Sequence, residues 1–507
     1  MPQESPFPTV CIALGFPDAE TLLTHARAEY DSGERFLEFR LDYLPHPEKG
    51  VAAIRKFLSR HADCSILATC RRRQNQGRFI GSIEEQLKVL EAATEAGAQA
   101  LDVEIESAEN CRERLTHLRA GAYLVLSYHN YGGTPPRMES VVKRMARIPA
   151  DGYKIVTTAR KPSDTTRVLE LTRAHPRLPL VVLAMGETGF ATRVLSPSWG
   201  GIFTYAAPNA GQGTASGQVC ARQLRGLYRV GKFSRNAKVF AVVGDPVGQS
   251  ISPAVHNRAF QARRIDAVYL PLLVNAGRLK DFFVFAQDLP LAGFSVTLPH
   301  KQKIMRYLDV IDPVARRIGA VNTVWRKAGK WRGTNTDAAG VTEPLARRLR
   351  LSKSSILLVG NGGAARGAAF ALAQAGSHLA ITGRNLDRVR ALAAVCGADP
   401  LSREQAEARR FDAVVHATPL GMFPHVERCF FNGTIPAPLV FDMVYNPLET
   451  TLLKRARSAG AEVIPGIEMF LEQATRQFEI FSGERAPRAA MERAAMEVLA
   501  ARRAPQL

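Results

Sequence analysis

The sequence predicts an α/β protein in two parts: an N-terminal (β/α)8 barrel, then a two-lobed unit that ends in a doubly wound, nucleotide-binding sheet. Three observations carry this. Eight apolar, β-branched runs alternate with helical stretches across residues 9–205. Residues 355–384 read as strand, glycine turn, helix and second strand. The length of 507 residues exceeds one ordinary domain and suggests about three.

The eight runs are 9–16, 36–44, 65–71, 100–105, 123–129, 152–158, 180–185 and 202–205. A doubly wound sheet is the alternative arrangement for them. Several contain polar residues that packing does not explain. Glu38 and Arg40 stand two apart, so both face one side of their strand. Arg71 ends the third run, Glu104 sits in the fourth and His129 ends the fifth. Lys154 lies inside the sixth, in Gly-Tyr-Lys-Ile-Val. A charge within an apolar strand is costly unless paired or functional. Desolvation and nearby cations free a lysine amine for Schiff-base chemistry. A histidine on the neighbouring strand can move protons near neutral pH. Together these groups predict a reactive centre at the C-terminal ends of the barrel strands.

Residues 226–237 are polar and basic and read as a linker between a barrel at 1–225 and a new strand at 238. Then comes Ser250-Ile-Ser252-Pro253, where the proline suits the first turn of a helix and either serine could cap it. Thr297-Leu-Pro-His-Lys301, Asn322-Thr323 and Gly333-Thr-Asn-Thr-Asp337 follow. They set a lysine, an amide and a carboxylate on separate turns just upstream of the nucleotide-binding stretch. Hydride transfer to a ketone also needs a proton for the alkoxide, and a Lys301–Asp337 pair supplies it. We divide this part into a substrate lobe at 238–340, completed by helices at 467–507, and a Rossmann domain at 341–466.

In that domain an apolar run at 356–359 leads into Gly360, Asn361, Gly362, Gly363 and Ala364. Free backbone N–H groups and the helix dipole there favour a pyrophosphate. Arg384 ends the next strand, roughly 20 residues on, where an NAD enzyme carries an acid for the ribose hydroxyls. A cation suits a 2′-phosphate instead, so the expected cofactor is NADP.

Composition narrows the partners. The formal charge is +20, but the basic residues are spread along the chain, and the 7% aromatic content does not interleave with them. Small anionic substrates, not nucleic acid, account for this balance. No apolar run reaches about 18 residues, so no membrane-spanning helix is expected. The seven scattered cysteines form no metal-binding spacing, which points to reduced thiols, a cytoplasmic protein and no metal. The sequence leaves the oligomeric state open.

Residues 9–225 resemble type I 3-dehydroquinate dehydratase, a family of (β/α)8 TIM barrels. The matching pieces are Glu38-Phe-Arg40, Thr69-Cys-Arg71, Asp102-Val-Glu104, Ser127-Tyr-His129, Lys154, Met185-Gly186, Arg193-Val-Leu and Gly217-Gln218. The resemblance implies an imine between Lys154 and the ketone of 3-dehydroquinate, with His129 moving the proton. It assigns Glu38, Arg40, Arg71, Arg193, Thr214 and Gln218 to the carboxylate and hydroxyls. Asn75-Gln76-Gly77 stands where many relatives have Glu-Gly-Gly, so a carboxylate that steers the histidine is missing and slower dehydration is expected. Thr214 replaces a frequent serine and keeps its hydroxyl.

Residues 238–490 resemble shikimate dehydrogenase. Ser-x-Ser-Pro, Val-Thr-x-Pro-His-Lys, Asn-Thr, Asn-Thr-Asp and the glycine turn occur in the family's order, as do Ala417-Thr-Pro-Leu-Gly-Met422, Asp442-Met-Val-Tyr-Asn-Pro447 and the stretch beginning Gly466-Ile-Glu-Met. The resemblance implies that Ser250, Ser252, Thr297, Asn322, Asp337, Tyr445 and Gln473 bind shikimate. Lys301 would be the general acid/base. The glycine turn, Arg384, Thr418, Met443 and Gly466 would lie along NADP. Ser295, Asn361, Gly383, Asn385 and His416 depart from common family residues.

Overall fold

A computed structural model describes residues 5–209 and 213–502; the outer ends of the first and last sequence ranges, 1–4 and 503–507, lie outside the described residues. All eight expected barrel strands form: β1 (Val10–Leu14), β2 (Phe36–Arg40), β3 (Ser65–Thr69), β4 (Ala100–Glu104), β5 (Tyr123–Asn130), β6 (Gly152–Thr158), β7 (Leu180–Met185) and β8 (Thr204–Ala206). They pair in parallel in the order β7-β6-β5-β4-β3-β2-β1-β8. Ile202 N donates to Leu180 O at 2.9 Å, which joins the approach to β8 onto β7. The period of two along each strand explains the interior. Phe36, Leu67, Ala100 and Val125 form an apolar plug with Val181 and Phe203. Two residues further on, the same inward face presents Glu38, Thr69, Asp102 and Ser127, all buried. One end of the barrel is therefore a packed core and the other a charged layer.

Six further strands follow: β9 (Lys238–Gly244), β10 (Ala267–Leu273), β11 (Leu291–Val296), β12 (Val310–Ile311), β13 (Thr323–Lys327) and β14 (Lys330–Thr334). Their order is β10-β9-β11-β13-β14-β12. The last sheet holds β15 (Ser355–Val359), β16 (His378–Thr382), β17 (Asp399–Leu401), β18 (Ala413–His416), β19 (Leu439–Asp442) and β20 (Glu462–Ile464). It is parallel throughout, in the order β17-β16-β15-β18-β19-β20. Ile356 and Leu358 face one apolar cluster and Leu357 and Val359 the other, so both faces are covered and the strand reads as continuously apolar. The strand order reverses between β15 and β18, where such sheets open a ligand crevice.

By contacts the chain forms two compact units, Met1–Val239 with Asp245–Gly248 and Asp266–Pro290, and Phe240–Gly244 with Gln249–Ile265 and Leu291–Leu507. Within the first, the helix Leu279–Asp288 packs on the barrel helix Pro162–Ala174. Ser163 donates from N and Oγ to the Asp281 carboxylate at 2.9 and 2.7 Å. In the second unit the C-terminal helix Arg488–Ala501 packs on the helix Ser252–Ala262.

Candidate active sites

The charged end of the barrel opens into a cavity of about 340 Å³, lined by Glu38, Arg40, Arg71, His129, Lys154, Arg193, Thr214 and Gln218 among others. Of the barrel residues singled out from the sequence for this site, all but Glu104 face one space. Lys154 Nζ donates to Asp102 Oδ2 and to Tyr205 Oη, both at 2.9 Å, and lies 3.7 Å from Glu38 Oε1. The nearest charged groups to this amine are two carboxylates, with Arg40, Arg71 and Arg193 lining the same cavity. Asp102 also accepts from Arg71 Nη2 at 2.8 Å and Ser127 Oγ at 2.6 Å. Burial alone would raise its pKa, but Lys154 and Arg71 outweigh that and hold the carboxyl well below the usual range. Glu38 accepts from Thr69 Oγ1 at 2.7 Å.

His129 Nε2 sits 2.9 Å from Arg71 Nη1. A guanidinium only donates, so Nε2 accepts and the ring proton resides on Nδ1. Burial and the charges of Arg71 and Lys154 push the imidazole well below its ordinary pKa, so the ring is a neutral base. Nδ1 is buried and has no hydrogen-bond partner among the described residues. Asn75, which replaces the expected carboxylate, turns its amide to Glu106 Oε2 at 2.8 Å instead. Glu104 does not reach the cavity; it accepts from Arg72 N and Gln86 Nε2 and holds the loop after β3. Arg40 forks onto Asp42 at 2.9 and 2.8 Å. Arg193 is different. It is 1% exposed, and among the described residues its only hydrogen bond runs from Nη2 to Ser216 O at 3.2 Å and its Nε has no partner. Burial lowers its pKa to about 10 with no carboxylate to offset it. A buried guanidinium left this way fits an anionic ligand. Gln218 Oε1 accepts from Thr214 N at 2.8 Å, which ties those two residues together.

The second site gathers at one edge of the β9–β14 sheet. Thr297 N donates to Val243 O at 2.9 Å, and Ser295 pairs with Thr323 across β11 and β13. Hence the loops after β9 and β11, the start of β13 and the end of β14 share an edge. Ser250 Oγ accepts from Ser252 N at 3.2 Å, so it does fasten the start of the helix Ser252–Ala262. Lys301 Nζ donates to Asp337 Oδ2 at 2.7 Å, and both side chains keep partial exposure. Asn322 Oδ1 accepts from Thr336 N and Thr323 Oγ1, both at 2.8 Å, which locks the turn carrying Asp337. A Cβ on Gly340 would stand 3.0 Å from Met469 O and 3.5 Å from Gln473 Cβ, so the helix Asp337–Ala346 crosses Gly466–Ser482 closely there and draws Gln473 beside the Asp337 turn. Tyr445 packs on Phe470, one helical turn from Gln473.

The third group lines the β15/β18 crevice. Gly360 has φ +132°, and a Cβ there would meet Ala417 O at 2.9 Å, so only glycine fits. At Gly362 and Gly363 a Cβ would meet nothing within 4 Å. The helix Gly363–Gln374 thus begins beside open space and has no side-chain cap. Asn361 Nδ2 donates to Asn385 O at 3.0 Å, which ties the glycine turn to the loop carrying the exposed Arg384. A Cβ on Gly466 would lie 2.6 Å from Met443 O. An open helix N-terminus beside an exposed arginine fits a dinucleotide bearing an extra phosphate.

Sequence reasoning did not assign Asp102 and Tyr205 to the first site, nor Thr336 and Gln477 to the second, where Gln477 accepts from Ser295 Oγ at 2.7 Å and donates to Thr323 Oγ1 at 3.1 Å. Asp102 had a signal, a carboxylate inside the apolar run Ala-Leu-Asp-Val-Glu. Tyr205 had none, since a tyrosine suits any strand.

Family models match type I 3-dehydroquinase over residues 10–233, the shikimate dehydrogenase substrate-binding domain over 242–324 and the shikimate 5′-dehydrogenase C-terminal domain over 466–496. A bifunctional 3-dehydroquinate dehydratase/shikimate dehydrogenase of Arabidopsis thaliana is 31% identical over 505 residues, covering 94% of this chain and 83% of that protein. The chain belongs to this bifunctional dehydratase/dehydrogenase family. Its dehydrogenase part is also 40% identical over 261 residues to a shikimate dehydrogenase (NADP+) of Bacillus cereus, covering 48% of this chain and 93% of that protein. A crystal structure of a shikimate dehydrogenase with NADP+ aligns with a TM-score of 0.50 at 33% identity, covering 53% of this chain and 97% of that one.

Proposed function

We propose that this enzyme catalyses two consecutive steps of the shikimate pathway: the barrel dehydrates 3-dehydroquinate to 3-dehydroshikimate, and the second part reduces that product to shikimate with NADPH. The observation that carries the reading is the buried Lys154 amine facing the same cavity as the neutral His129. Lys154 Nζ adds to the substrate ketone and one water leaves, giving an imine. The imine acidifies the neighbouring C–H, and His129 Nε2 takes that proton. It can do so once Arg71 Nη1 turns to another acceptor, and a substrate oxygen is such an acceptor. His129 then gives the proton to the departing hydroxyl, which leaves as water. Hydrolysis consumes one water and frees Lys154, so the net loss is one water. Arg193 holds the substrate carboxylate.

In the second part Lys301 supplies the proton for the forming hydroxyl, and Asp337 holds the ammonium in line. NADPH supplies the hydride. Ser250, Ser252, Thr297, Asn322, Tyr445 and Gln473 orient the ring. Arg384 pairs with the 2′-phosphate, and the amide ends above Gly362 and Gly363 take the pyrophosphate. The partners are small anionic substrates rather than nucleic acid. We place the enzyme in the cytoplasm, a reading supported by its seven free thiols; among the described residues no helix is long and apolar enough to cross a membrane.

The test supplies 3-dehydroquinate and NADPH to the full chain and follows enone absorbance and NADPH loss together. Borohydride added during turnover should fix the substrate to Lys154, seen as a mass increase on its peptide. Turnover without any trapped adduct refutes the covalent route. Supplying 3-dehydroquinate and 3-dehydroshikimate separately to a Lys154→Ala chain shows which ketone the second part reduces.

A further inference from the structure

Beneath the nucleotide crevice lies a buried polar chain that the reaction does not use. His416 ends β18 and Asp442 ends β19, and the parallel register sets them side by side. They are 1% and 0% exposed. His416 Nδ1 is 2.8 Å from Asp442 Oδ1, and His416 Nε2 is 2.5 Å from Thr418 Oγ1. Asp442 also accepts from Val444 N at 3.1 Å and from Thr450 Oγ1 at 2.6 Å. The carboxylate is an acceptor only, so a neutral ring carries its proton on Nδ1 and leaves Nε2 as an acceptor. In that tautomer Thr418 donates to His416. Its hydroxyl also accepts from Leu420 N at 3.2 Å, which leaves one lone pair uncommitted.

The chain ties together the segments that flank the crevice. Ala417 O lies against Gly360, Met443 N donates to His416 O at 3.0 Å, and Met443 O lies against Gly466. We propose that His416 is a positioning residue for NADPH: held by Asp442, it fixes the Thr418 hydroxyl so that it faces the cofactor as a hydrogen-bond acceptor. The partner on the cofactor is therefore a donor, such as a ribose hydroxyl or an amide N–H, and not a phosphate oxygen. This rests on the reading that Thr418 lies along NADPH.

Shape chooses the variants. An asparagine amide reaches the place of Nδ1 and still partners Asp442, but falls short of Thr418. A glutamine amide reaches the place of Nε2. The measurement is NADPH affinity by fluorescence titration of the full chain, with kcat for 3-dehydroshikimate reduction and the barrel's dehydration rate as folding controls. His416→Asn should weaken NADPH binding by roughly 5- to 10-fold while kcat at saturating NADPH changes less than about twofold. Thr418→Val should weaken it by a similar factor, and the double variant no further, because both remove one contact. His416→Gln should recover most of the loss. Unchanged affinity in His416→Asn, multiplying losses in the double variant, or a fall in kcat at unchanged affinity would each overturn the proposal. A wild-type chain that does not bind NADPH overturns the cofactor reading and this inference together; wild-type binding with an indifferent His416→Asn overturns this inference alone.

Discussion

Arg193→Met separates stability from function. The guanidinium is 1% exposed and faces no carboxylate. The fall in its pKa to about 10 means that burial disfavours the charged form by about 3 kcal/mol. Methionine has similar length and no charge to desolvate, and replacing buried ionic groups by apolar ones of like volume often stabilises by about 1–4 kcal/mol. Allowing about 1 kcal/mol for imperfect packing and the Ser216 carbonyl that loses its donor, we expect a net gain of about 2 kcal/mol. That should raise the unfolding midpoint of a barrel of this size by roughly 4–8 °C. The substrate carboxylate would lose a charge-assisted contact at the same time, so KM for 3-dehydroquinate should rise roughly 10- to 100-fold. Differential scanning calorimetry and initial rates of enone formation give the two numbers. A variant that melts earlier and keeps its KM would refute the argument, because Arg193 would then be a paired structural cation.

Other outcomes follow from the same geometry. His129 acts when neutral and its folded pKa is held below the ordinary value, so dehydration should stay flat as pH falls from about 7 to about 6; an acid limb centred near 6.5 contradicts this. The same depressed pKa makes stability present above about pH 6.5 and lost as pH falls, because the unfolded chain binds that proton first. Lys301→Ala should lower reduction by roughly 10²- to 10⁴-fold and spare dehydration, with Lys154→Ala doing the converse; loss of both reactions from either change denies two independent sites. Arg384→Ala should weaken NADPH roughly 10- to 100-fold and leave NADH nearly unchanged, as measured by the ratio of their KM values.

How much could be read beforehand differs between the sites. The glycine turn was legible because it is local: Gly360 needs its φ of +132° within a single strand–turn–helix unit. The barrel strands were legible because each is a short apolar run. Their polar interruptions at Glu38, His129 and Lys154 stood out against that background. Pairing was not legible. The residues that face Lys154, namely Asp102 from β4 and Tyr205 from β8, come from strands 52 and 51 positions away in sequence. Arg71 is near in space, yet it is spent on Asp102 and His129.

By itself the sequence determined the strand and helix pattern, the glycine turn with Arg384 behind it, and which polar side chains interrupt apolar runs; these depend on neighbours a few residues apart. The tertiary structure alone decided which groups share a hydrogen bond. It turned Asn75 to Glu106 and left His129 Nδ1 without a partner, isolated Arg193 from any carboxylate, and strung Thr418, His416 and Asp442 into one buried chain. The physical reason is that a hydrogen bond or ion pair forms over about 3 Å of space. Barrel closure and parallel strand register set that distance between residues far apart in the chain.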